Sequence, residues 1–193
     1  MTSDQGIRPR SARSRLLAAA AKLFYAEGIH AVGVDRVVSE AGVAKTTLYA
    51  HFASKEVLVA AYLQDSSDAW FTALEPHLKN AAGGGPVAHL LAIFDHLLVA
   101  TTQPGFRGCP FINASAEYPH EPLVSEVVRR HRGRLRSTFR HYLTAAGATD
   151  VDSLAEALIG VWEGALVGGQ IGDQGAAQAA CRTVQVLLAT ARR

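Results

Sequence analysis

Apolar residues recur along nearly the whole chain at spacings of three and four, the period of helices with one face turned inward. Leu16, Leu17, Ala20, Leu23 and Phe24 fall on one stripe, which predicts a helix over about 12–27 stopped by Gly28. Val34, Val37, Val38 and Ala41 predict a short helix over 34–41, broken by Gly42. A second short helix follows over 45–52, with Leu48 pointing inward. Ser54 is placed to cap a long helix that begins at Lys55, carries Glu56 in its first turn and ends near Lys79. The run Asn80 to Pro86, with three consecutive glycines, is the strongest breaker in the chain. Leu90, Leu91, Phe94, Leu97 and Leu98 then predict a helix over 86–102. Residues 103–110 read as loop, 111–118 as a short helix and 121–146 as a long one closed by Gly147, with two more helices over 152–170 and 175–191. No alternating strand pattern bounded by hairpin turns occurs, so the predicted class is all-α.

Composition narrows the picture without changing it. The chain has 193 residues, 49% hydrophobic and 19% charged, enough to bury a real core in one large domain or one large and one small. Cys109 and Cys181 are too few and too far apart for a disulfide framework or a Cys-rich zinc site. The polar, basic N-terminus lacks an apolar signal region, and no stretch of about 20 apolar residues is present, so a soluble cytoplasmic protein with no membrane partner is expected. Charge is uneven. Residues 1–60 hold eight Lys and Arg against five Asp and Glu, whereas residues 61–193 hold eleven against twelve. Such a basic third on a neutral body suits a small nucleic-acid module, although a basic tail alone gives the same sum.

A longer helix followed by two short ones around a Gly turn matches a DNA-binding helix–turn–helix, though similar pairs also occur in helical bundles. With Leu48 inward, Lys45, Thr46, Thr47, Tyr49 and His51 are free to face a groove. Lys and Tyr suit phosphates, and Thr suits a thymine methyl or a phosphate.

The residues themselves go further. Leu16–Leu63, and above all Ala41–Leu58 (AGV-x-x-x-TLY-x-HF-x-SKE-x-L), resembles the N-terminal domain of the TetR family of bacterial transcriptional regulators. The resemblance implies a DNA-binding domain over 1–54 and a helical ligand-binding and dimerisation domain over 55–193. It also implies a homodimer that sets two recognition helices in successive major grooves, and it carries DNA contact to Lys45, Thr46, Thr47, Tyr49, His51 and Lys55. Two positions depart from the pattern. Val34 stands where a capping Thr is frequent and Ala44 where a Ser cap is frequent, and each lost cap costs about 1 kcal/mol. Packing by Leu48, Phe52 and Phe24 must compensate. Arg8, Arg10, Arg13 and Arg15 either touch DNA or form a solvated tail.

In the body, the helix over 152–170 is apolar nearly all round, apart from Glu156 and Glu163 after Asp152, and is expected to be buried on both sides. Gly160, Gly164 and Gly168 share one of its faces, a pattern for close approach of another helix. With Ala177, Cys181, Val184 and Leu188 of the last helix they form the expected dimer interface, the alternative being that both helices close a monomer core. Phe94, Phe111, Asn113, Glu117, Tyr118, Tyr142 and Trp162 are the candidate ligand-pocket residues, with plain core packing as the alternative for each. Glu163 and Glu117 need partners, for which a structural Arg is the usual answer. Arg132, Arg136 and Arg140 share a face that reads as solvated. Cys109 beside Arg107 is either a redox sensor or a packed free thiol.

The eight histidines form no metal-binding spacing, and neither a phosphate loop nor a nucleophile elbow is present, so no metal, no cofactor and no enzymatic activity are expected. The function expected is a transcriptional repressor, released from a palindromic double-stranded operator by a small apolar or amphipathic inducer. The alternative is a helical ligand-binding protein or enzyme with an incidental helix–turn–helix.

Overall fold

The computed structural model describes residues 11–173 and 175–190, and every regular element among them is helical. The helices are α1 (Ala12–Glu27), α2 (Val34–Ala41), α3 (Lys45–His51), α4 (Lys55–Ala81), α5 (Gly85–Thr101), α6 (Pro110–Glu117), α7 (Pro122–Ala145), α8 (Val151–Gln170) and α9 (Ala176–Thr190). The triple-glycine breaker is spanned by a single 3₁₀ turn, Ala82–Gly84, rather than by an open loop. Arg8 and Arg10 lie outside the described residues.

The chain divides into two compact units, Met1–Tyr62 and Leu63–Arg193, so the division falls inside α4, about two turns past the boundary drawn at Ser54 from the sequence. In the first unit α1 packs on α2 and α3, burying Leu16, Leu23, Phe24, Val37, Val38, Leu48 and Phe52. The Phe24 ring meets Tyr62 edge-on at 5.7 Å. Neither short helix has a side-chain cap: Ala44 precedes α3, as expected, whereas the cap position of α2 is Gly33 and Val34 is already its first helical residue, which corrects the expectation that the missing cap lies at Val34. Tertiary contacts stand in for the caps. Glu27 grips the Arg36 guanidinium with both oxygens at 2.5 and 2.7 Å, and Lys22 reaches Glu40 at 2.6 Å, fastening α1 to α2. Gly42 takes the left-handed conformation, φ 61° and ψ 44°, that turns α2 into α3, and its carbonyl accepts from Arg15 Nη1 at 3.1 Å.

In the second unit α5 packs against α7, α8 and α9, and α8 packs against both α7 and α9. Leu90, Ile93, Phe94, Leu135, Phe139, Leu158, Ile159, Trp162, Val184 and Leu188 fill the space between them. Phe94 stacks on Phe139 at 5.8 Å and takes the edge of Trp162 at 5.7 Å. Lys55–Thr101 contains an 18-residue stretch of mean hydropathy 1.3, and the core residues of α5 account for that apolarity.

Within the chain α8 buries one side, with Leu158, Ile159, Trp162 and Ala165 facing the core, and leaves Gly160, Gly164 and Val167 exposed on the side expected to meet a second chain. One sequence expectation needs correction. Arg132, Arg136 and Arg140 do not form a merely solvated face. Arg132 pairs with Glu163 and Glu156, Arg136 with Glu156 and Arg140 with Asp152, a ladder that ties α7 to α8 along their length. The arginines, one helical turn apart, had a matching acidic edge on the next helix, which one-helix periodicity does not reveal.

Candidate nucleic-acid interface and ligand cleft

Only Leu48 of α3 is buried, which fixes the orientation of the whole helix. Lys45, Thr46, Tyr49 and His51 are consequently exposed, Thr47 is half-buried, and Tyr49 presents 46% of its surface to solvent. Lys45 Nζ lies 2.7 Å from Asp35 Oδ1 across the turn. The hydrogen bond and then the charge of Asp35 raise the Lys45 pKa, so α3 carries a firmly protonated cation in its first turn. Lys55 is half-buried, its ammonium 5.9 Å from the Phe24 ring centre, at the foot of α4. Arg13 and Arg15 belong to the first turns of α1 and pack on the helix–turn–helix, Arg13 over Phe52 at 5.4 Å and Arg15 on Gly42. For these two arginines a solvated tail is ruled out.

A cleft of about 400 Å³ opens in the second unit between α6, α7 and α8. Cys109, Phe111, Ile112, Val128, Leu135, Trp162 and Leu166 make it largely apolar, and Ser115, His131, Arg132 and Glu163 supply polar groups. That balance, apolar walls with a few placed hydrogen-bonding groups, is what a small-molecule site requires. His131 stacks on Phe111 with ring centres 3.6 Å apart, and its Nδ1 meets the buried Ser67 hydroxyl at 2.9 Å. Burial first and the Arg134 charge second push the His131 pKa down to about 4, so the ring is neutral at physiological pH. Burial likewise raises the Cys109 thiol pKa, which makes it a poor nucleophile and favours the packed-thiol reading. At the mouth, Arg132 Nε donates to Glu163 at 2.9 Å.

Of the seven candidate pocket residues, the structure brings Phe111 and Trp162 to this cleft. Phe94 lies behind Trp162 in the core, and Tyr142 stacks on His89 at 4.6 Å, away from the lining. Asn113 is a brace. Its amide donates to the Arg107 carbonyl at 2.9 Å and its oxygen accepts from Gln170 at 3.2 Å, holding the loop before α6 against the end of α8. Glu117 and Tyr118 end α6 and do not line the cleft. His131 and Val128 were missed because they lie on α7 among arginines. The one available signal was the expectation that Glu163 has an Arg partner.

Among the expected interface residues, Ala177, Val184 and Leu188 are buried in the chain's own core, Cys181 is half-buried beside Phe94, and Gly168 admits the Ala176 side chain of α9. The burial of Ala177, Val184 and Leu188 within the chain leaves them little surface for a second one. Gly160 and Gly164 are exposed, and a Cβ at either would meet nothing within 4 Å among the described residues. Val167, Ile171 and Val186 are exposed apolar residues on the same two helices. Alanine stripes on α9 look alike on both faces, so periodicity alone does not tell its core face from its open one.

Residues 16–62 match the family described as bacterial regulatory proteins, tetR family, and residues 86–184 match the tetracyclin repressor-like C-terminal domain. Over 119 residues the chain is 46% identical to the HTH-type transcriptional activator FasR of Mycolicibacterium smegmatis, covering 61% of this chain and 52% of that protein. It is 34% identical over 94 residues to the HTH-type transcriptional repressor KstR2 of the same organism, covering 49% and 45%. The chain thus spans about half the length of the curated relatives it matches. A TetR-family transcriptional regulator from Streptomyces coelicolor superimposes with a TM-score of 0.83 at 33% identity, over 94% of this chain and 96% of that one.

Proposed function

Because the chain belongs to the TetR family of bacterial regulatory proteins, we propose that it is a homodimeric, non-enzymatic transcriptional regulator whose two α3 helices read a palindromic operator in the cytoplasm. Residues 1–54 are the DNA module in this reading, and residues 55–193 hold the ligand site and the dimer face. One observation carries it: α3 buries Leu48 and turns Lys45, Thr46, Tyr49 and His51, a polar and basic face, to solvent. Lys45 would exchange Asp35 for a phosphate, Tyr49 and His51 would add hydrogen bonds, and Thr46 and Thr47 would meet base edges or phosphates. Lys55 would contact the backbone beside them.

The relatives carry names of opposite sign, one an activator and one a repressor. We place this chain with the repressors, released when a small apolar or amphipathic molecule fills the α6–α7–α8 cleft. The mechanism is a population shift. Half-sites one turn apart demand recognition helices roughly 34–36 Å apart, and a ligand that binds a different spacing better draws the dimer off DNA. Its effect is bounded by that differential affinity, about 5.5 kcal/mol for a swing from 1:99 to 99:1.

A gel shift on DNA flanking the chain's own gene tests this reading. Lys45→Ala and Tyr49→Ala are expected to abolish binding with an unchanged melting temperature, and Lys55→Ala to lower the logarithmic salt slope by about one. Wild-type binding by all three variants would overturn it.

A further inference from the structure

We infer that the α6–α7–α8 cleft selects a cationic ligand, a flat apolar body with one ammonium or amidinium group that pairs with the Glu163 carboxylate. The inference rests on the cleft being the ligand site and adds the charge class of what enters it.

The charges at the mouth balance in number but not in partners. Arg132 has two carboxylates, Glu163 at 2.9 Å and Glu156 at 3.5 Å, and Glu156 is itself bound by Arg136. Glu163, among the described residues, pairs with Arg132. An anionic ligand that takes Arg132 away from Glu163 leaves that partly exposed carboxylate to solvent, without the one cation it pairs with among the described residues. A cationic ligand seated on Glu163 displaces Arg132, which keeps Glu156. The exchange therefore leaves a charge without a partner in the first case and none in the second. The remaining polar groups do not reverse the preference. His131 is neutral at physiological pH and adds no positive charge to attract an anion, and the Cys109 thiol stays protonated. Both Arg132 and Glu163 side chains are 39% exposed, so the pair sits where an entering ligand meets it first.

Three probes of one shape separate the possibilities: biphenyl-4-ylmethylamine, biphenyl-4-carboxylate and biphenyl-4-ylmethanol, each titrated calorimetrically into the full chain. The amine is expected to bind at least about ten-fold tighter than the other two. Glu163→Gln is expected to erase that preference, and Glu163→Asp to keep it. The inference is overturned if the carboxylate or the alcohol equals the amine, if no probe binds, or if the preference survives Glu163→Gln. Should Glu163→Gln fail to fold, the wild-type ranking decides alone. The same probes added to the DNA complex keep the two readings apart. An amine that binds without weakening DNA affinity refutes ligand release and leaves the charge class standing. Release by the alcohol or carboxylate does the reverse.

Discussion

His131 illustrates how far a side chain's chemistry is set by neighbours distant in sequence. Phe111 covers one face of its ring and the Ser67 hydroxyl meets Nδ1, and the burial of the ring, with the Arg134 charge second, favours the neutral imidazole. The folded state binds its proton only near pH 4, whereas the unfolded chain binds it near 6.5. The contribution to stability is therefore present above pH 6.5 and is lost as pH falls from 6.5 towards 4, by up to about 3 kcal/mol. Denaturant unfolding at pH 7 and pH 4.5 is expected to show a larger loss for the wild type than for His131→Asn, and equal losses would refute this assignment. The shift of His96 has the same sign, caused by burial and then by His77. None of this was legible in the sequence, where His131 stands among four arginines and reads as surface.

At the scale of elements, legibility followed the range of the interactions. α2, Gly42 and α3 were readable because their determinants are local: valines at helical spacing, one glycine with positive φ and one inward leucine. The missing cap of α3 was readable too, at Ala44, whereas that of α2 falls on Gly33 and not on Val34. Leu48 alone anchors α3 and is fully buried, so Leu48→Ala is expected to cost about 3 kcal/mol and to loosen the helix. Urea unfolding checks the figure; a loss below about 1 kcal/mol would mean that something else holds α3 in place. The cleft was legible only in part. Its lining comes from α6, α7 and α8, and of the residues named from the sequence Phe111 and Trp162 lie on it, whereas Asn113 braces the backbone before α6. The arginine ladder was likewise invisible, because its acidic partners lie on the next helix.

For the whole molecule, the exposed face of α8 matters most. Each interior glycine costs α8 roughly 1 kcal/mol relative to alanine, yet a Cβ at Gly160 or Gly164 would meet nothing within 4 Å among the described residues. In the proposed dimer that cost is offset by close approach of a second copy. Gly160→Leu with Gly164→Leu is thus expected to leave the helical content intact and to convert a two-chain species into a one-chain species in sedimentation. A double variant that still pairs would move the interface elsewhere.

That α3 of two paired copies grips DNA is tested most directly by hydroxyl-radical footprinting of the duplex beside the chain's own gene. Two protected patches are expected, related by a two-fold axis and centred roughly 34–36 Å apart, and both should vanish with Tyr49→Ala. A single protected patch, or a pair that persists in Tyr49→Ala, would contradict it.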